Sequence, residues 1–251
     1  DFKSLLYRSS NLRSGILFLS LLWRFQKFST MKFIATLFLA FLLFGCSSEH
    51  KDPRLKDKDV PMDFDLGVAE NGIYKNDYFG MTFSYNKNWL LQSHEELNRL
   101  VDFGAEIATG DDELLKASVE ASKVNTAYLF CVFRDKITAS TGFNPSVMTV
   151  AENISKFKSI KSGEDYLRQA LKLIHRSQMQ MEMLGGFEQI KIGTKQFHTM
   201  KLRGEQMGIE YVQEYISTIE KGFSLSFIVT YECEEDRDEM MEVLESVEFD
   251  K

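Results

Sequence analysis

The 251-residue sequence predicts an α+β sandwich built on a largely antiparallel sheet. Three observations carry this expectation. Short runs alternate apolar and polar residues, the period of a half-buried strand. Two other stretches place apolar residues at helical spacing behind serine-led caps. In order, the patterns read strands, helix, strands, helix, a four-strand meander and a last helix.

The globular part opens with Ile73-Tyr74 and with Tyr78 to Tyr85, where Phe79, Met81, Phe83 and Tyr85 alternate with Gly80, Thr82 and Ser84. Trp89, after the polar turn Asn86-Lys87-Asn88, plugs the sheet's edge. Ser93 and Glu96 form a capping box for a helix carrying Leu97, Leu100, Val101 and Ile107. Gly110-Asp111-Asp112 breaks it, and Glu113 to Ala121 adds a further turn or two. Ala127 to Phe133 and Val147 to Ile154 are near-continuous apolar runs and read as strands. Ser162 and Asp165 cap a long helix with a Tyr166, Leu167, Ala170, Leu171, Ile174 stripe. Gly185-Gly186 reads as its stop.

The last third is a meander. Phe187 to Ile192 and Gln196 to Arg203 flank Gly193-Thr194-Lys195; Ile209 to Ile219 and Phe223 to Tyr231 flank Glu220-Lys221-Gly222. In the final strand Phe223, Leu225, Phe227 and Val229 face one way, and Ser224, Ser226 and Thr230 the other. Glu234-Glu235-Asp236 opens the closing helix, and Ser246-Val247-Glu248-Phe249 ends the domain.

Upstream, Met31-Lys32 precedes an apolar run to Phe44, and Leu43-Phe44-Gly45 leads into Cys46. The run is too short for the roughly 20 apolar residues of a spanning helix. It ends at a small residue before a cysteine and turns polar at once, as a cleavable leader does. The pattern is that of a lipoprotein signal over 31–45, with Cys46 acylated and anchoring the protein to the outer face of the cell membrane. In a two-membrane host the outer membrane is the alternative, since Ser47 is not the aspartate that retains lipoproteins at the inner one. Residues 1–30 begin with Asp1 and hold a second apolar run; they read as an upstream artefact, with translation starting at Met31. Residues 46–70, rich in charge with Pro53 and Pro61, read as a flexible tether, and 71–251 as the globular domain.

From Cys46 onward there are 24 Lys and Arg against 36 Asp and Glu, a net of −12. Such a body is repelled by phosphate backbones, so nucleic acid is not an expected partner. The balance also disfavours close docking on anionic lipid. Cys131 lies in an apolar run and Cys233 follows Tyr231-Glu232; an exported compartment permits a bridge, but separate burial as small hydrophobes fits the spacing better.

Several constellations are candidates for chemistry. Met179, Met181 and Met183 have the alternation of a thioether copper(I) site, against the simpler reading of a core-filling continuation of the long helix. The acids from Glu232 to Glu239 lack the glycine turn of a calcium loop and suit a helix N-terminus. His94, His175 and His198 have no partner at two, three or four residues, and there is no Gly-x-Ser-x-Gly elbow or phosphate-cradling loop. Neither an enzyme nor a cofactor is therefore expected. Tyr74, Tyr78, Tyr211 and Tyr215 are the candidate partner surface, because tyrosine suits half-wet contacts.

With these segments placed, the domain resembles the PsbP-like and Mog1-like superfamily. The resemblance rests on Tyr78-Phe79-Gly80-Met81-Thr82-Phe83 followed by Trp89, the Gly193 to Phe197 hairpin, Gln213-Glu214-Tyr215, Lys221-Gly222-Phe223 and Ser246-Val247-Glu248-Phe249. Asn86 stands where such openings usually carry proline. More narrowly, the chain is similar to lipoproteins of anaerobic, Firmicutes-type bacteria. The resemblance implies a three-layer α/β/α sandwich used for binding and assembly, and no catalytic residues. The expected role is a non-enzymatic binding or scaffold domain for an envelope protein. A metal or small-ligand carrier, or a hydrolase whose site assembles in space, are the alternatives.

Overall fold

The computed structural model describes residues 64–136, 143–206 and 208–250. The expectations for the signal, Cys46 and the tether up to residue 63 lie outside the described residues. No helix among the described residues is long and apolar enough to cross a membrane.

In chain order the elements are β1 (Val68–Glu70), β2 (Ile73–Asn76), β3 (Met81–Ser84), β4 (Leu90–Leu91), α1 (His94–Thr109), α2 (Glu113–Lys123), β5 (Thr126–Phe133), β6 (Ser146–Asn153) and α3 (Gly163–Ile174). They continue through β7 (Met181–Ile192), β8 (Lys195–Gln206), β9 (Ile209–Glu220), β10 (Phe223–Tyr231), α4 (Glu234–Glu245) and β11 (Glu248–Phe249). Both expected capping boxes form, Ser93 with Glu96 and Ser162 with Asp165.

A seven-stranded sheet in the order β4-β5-β6-β10-β9-β8-β7 is antiparallel at every pairing. The meander is its β10-β9-β8-β7 half. The α+β class is therefore as the sequence implies. One face is covered by α1 and α3, whose Leu97, Val101, Tyr166, Leu167 and Ile174 meet Met148, Val150, Met200 and Tyr215. The other face is covered by a small sheet, β1-β2-β3-β11, together with α4. Its core joins Tyr74, Met81 and Phe83 to Phe130, Phe197 and Phe227, and includes Trp89. The second outer layer is thus a small sheet plus one helix, rather than helices alone. Alternating β2 and β3 can bury only one face each, so they form a lid on the larger sheet.

Two local expectations are corrected. The long helix stops at Ile174, and Met181 and Met183 belong to β7. Gly185-Gly186 is no helix stop but a bulge in β7: pairing jumps from Leu184 opposite Lys201 to Glu188 opposite Thr199. Gly185, at φ +73°, takes the left-handed conformation that the bulge demands. In the β9–β10 turn, Lys221 and Gly222 both have positive φ, the conformation of a tight two-residue hairpin.

The domain also begins earlier than residue 71. Phe64 packs against Tyr78 and Phe223, with ring centroids 4.8 and 5.2 Å away. The Asp65 carboxylate accepts the backbone N–H groups of Gly67, Asp77 and Tyr78 at 2.8, 2.7 and 3.1 Å. Residues 64–70 are thus part of the fold, because one carboxylate satisfies three otherwise idle donors. Asp65→Ala is expected to lower stability by about 1–2 kcal/mol, read as a lower urea midpoint. An unchanged midpoint would return these residues to the tether.

Candidate functional site

Two features stand out: the open edge of the large sheet, and a polar seam sealed beneath α3.

The edge is β7. Among the described residues its one sheet neighbour is β8, whereas β4 at the opposite edge has two residues. Bulge and charge blunt its first half, around Glu182 and Gly185. The second half is regular from Glu188 to Ile192, paired to Thr199 through Lys195. Glu188, Gln189 and Lys191 are exposed there. Such an edge presents backbone donors and acceptors that an extended segment can complete.

The seam lies on the helical face. Ser217, Ser224 and Ser226 form a closed triangle of hydroxyls at 2.9, 3.1 and 3.0 Å. Beside it, Glu152 accepts hydrogen bonds from Tyr166 at 2.8 Å and Ser122 at 3.3 Å. Glu152 is 1% exposed. Burial pushes its carboxyl up to about 8, with the two hydroxyl donors pulling the other way. Near neutral pH it is therefore mostly protonated.

His198 sits opposite Ser217 in the β8–β9 register. Its Nε2 lies 3.1 Å from the Gln189 amide, and its buried Nδ1 has no hydrogen-bond partner among the described residues. A hydrolase site assembled in space requires histidine bonded to serine, cysteine or carboxylate in a cleft; His198 bonds an amide. His175 is the C-cap of α3, at the far end of a helix about 18 Å long, and His94 starts α1. The three histidines are not brought together.

The tyrosine expectation is largely corrected. Tyr74, Tyr211 and Tyr215 are 1%, 2% and 3% exposed, so they offer no contact surface. Tyr74 stacks on Phe83 and donates to the Leu66 carbonyl at 2.9 Å. Tyr215 donates to Gln213 at 2.6 Å, and Tyr211 stacks on Phe143. Burial drives all three phenols upward. Only Tyr78 stays half-exposed, with the Lys221 ammonium 5.4 Å above its ring.

Met181 is buried, and Met179 and Met183 pack partly buried against the same core. No cluster of three His, Cys, Asp or Glu able to hold a metal occurs among the described residues. Asp236, in the acidic segment, pairs with Arg134. Cys131 and Cys233 are both free; Cys131 is buried as expected, but Cys233 is exposed at the start of α4.

The seam escaped sequence reasoning. Serines alternating in β10 have the pattern of a wet face, and nothing local indicates that α3 closes over them. The signal that existed was Glu152, a carboxylate inside the otherwise near-continuous apolar run from Val147 to Ile154.

No family model matches the chain, and no curated protein matches it in sequence. Among solved structures it is similar to a protein of Bacteroides thetaiotaomicron at 17% identity and a TM-score of 0.36, over 68% of this chain and 46% of that one. It is also similar to the cyanobacterial PsbP (CyanoP) of Synechocystis at 13% identity and a TM-score of 0.44, over 73% of this chain and 96% of that one. The chain spans less than half the length of the Bacteroides protein. Likenesses at this level carry no argument about function, and the α+β class rests on the strand order itself.

Proposed function

We propose that the chain is an exported lipoprotein, held to the membrane by lipid on Cys46. Its PsbP-like or Mog1-like domain serves as a non-enzymatic binding or scaffold module for an envelope protein. The Leu43-Phe44-Gly45-Cys46 motif supports the anchor. The observation carrying the binding role is the regular half of β7, residues 188–192, which no other described strand pairs on its outer side. A partner docks there by adding an extended strand to the large sheet, with Phe187 and Ile190, half-buried beside it, supplying apolar contact. The acidic balance of the chain sets this role apart from nucleic-acid binding.

In-cell photo-crosslinking tests this. A crosslinker at Gln189 or Lys191 is expected to trap one discrete protein, and one at Asp238 on α4 is not. Cys46→Ser should abolish the adduct by releasing the protein from its membrane. Adducts of equal yield from Asp238 and Gln189 would refute the edge as the docking site.

A further inference from the structure

The net negative charge hides a concentrated positive surface. Between Asn153 and α3 the chain makes two successive turns, with Phe157 N–H bonding the Ile154 carbonyl and Ile160 N–H the Phe157 carbonyl. Ile154, Phe157 and Ile160 point into the core, one every third residue. That spacing leaves Lys156, Lys158 and Lys161 exposed on the outside of a braced loop. The same surface runs on along α3 to exposed Lys172, past Arg168, which is paired with Glu164. There Arg168 lies 4.3 Å over the Phe187 ring, in a groove of about 390 Å³ that reaches Ser159.

This loop adjoins the place where the tether joins the domain. Ile154 N–H bonds the Gly222 carbonyl at 3.0 Å, and Phe223 pairs with Asn153. Phe223 also holds Phe64, the first described residue. Lys221, in the same turn, is exposed and donates to the Tyr78 carbonyl. Among the described residues, acids at this end hold other partners, Asp65 through the backbone N–H groups of Gly67, Asp77 and Tyr78. Glu220 pairs with Lys195, Glu164 with Arg168, and Asp77 with Lys75, while Asp165 caps α3 and Glu152 is buried.

We infer that this end of the domain, with Lys158, Lys161 and Lys221 exposed on it, docks on an anionic phospholipid surface. The inference rests on the anchored reading proposed above. Only eighteen positions separate Cys46 from Phe64, a reach of at most about 60 Å, which keeps these lysines at high effective concentration near the headgroups. The overall negative charge does not prevent contact. At physiological salt fields fade over about 8 Å, so headgroups sense the lysine-bearing end and not the distant acids.

The test uses the full chain isolated with its membrane attachment and reconstituted into vesicles of phosphatidylcholine, alone or mixed with phosphatidylglycerol. Hydrogen exchange over 155–161 and 220–223 should slow several-fold only with phosphatidylglycerol. The effect should vanish at about 1 M salt, where screening shortens to about 3 Å. A K158E/K161E chain should lose the protection while keeping its thermal midpoint and its membrane attachment. Equal exchange on both vesicles in an attached chain overturns the inference, as does protection that appears only when an acidic protein is added. Lipid-dependent protection in a chain that takes up no palmitate would uphold the docking surface and remove the anchor.

Discussion

Glu152→Gln is expected to raise the thermal midpoint by roughly 5–10 °C at pH 8, corresponding to about 2–3 kcal/mol for a domain of this size. The sign follows from linkage. Glu152 titrates near 4.5 when exposed and at about 8 in the fold. Between those values the folded state holds a proton that the unfolded state has released, so stability falls as pH rises through that window. Below 4.5 both states are protonated, and above 8 the penalty is constant. Each tenfold change in proton affinity is worth about 1.4 kcal/mol, which sets the ceiling. The new amide must also find acceptors in the seam, which reduces the gain. At pH 5 the two proteins should differ by less than about 1 kcal/mol. Tyr166→Phe removes a donor that favours the charged form, and so should extend the falling limb to higher pH. A midpoint difference that does not change with pH would show that Glu152 is ionised in the fold.

Gly163→Ala is expected to destabilise the protein by about 3 kcal/mol, the upper part of the usual range for overpacking. A Cβ on Gly163 would lie 2.0 Å from the Ser217 carbonyl oxygen, with the His198 ring 3.2 Å away. Ser217 lies within β9, paired on both sides, so the strand cannot retreat. The start of α3 must lift instead, opening the seam and loosening Tyr166 from Glu152. The urea midpoint should fall, and amide exchange at the start of α3 should accelerate. Gly186→Ala, with open space around its Cβ, provides the control and should cost far less. Equal stability of the two variants would show that α3 packs less closely than this.

The helix caps and the sealed seam were unequally legible in the sequence. The caps at Ser93 and Ser162 were readable because they lie within four residues of sequence and answer to helix-end chemistry. The meander was readable because its turns are short and carry glycine. Met181 and Gly185 misled because helix continuation and a bulged edge strand share the same local residues, and pairing with β8 decides between them. Tyr74 and Tyr215 misled because tyrosine is equally at home on a surface and in a core that offers its hydroxyl a partner, and Tyr211 because its ring stacks on Phe143.

Local pattern, by itself, determined the α+β class, the order of elements and the starts of the capped helices, since these depend on forces acting within a turn or a strand. Tertiary structure decided what covers each face of the large sheet, that serines of β10 are sealed with Glu152 beneath α3, and that lysines of one loop meet the end where the tether joins. Those outcomes join residues scores of positions apart, and only close packing of whole layers brings them within reach of one another.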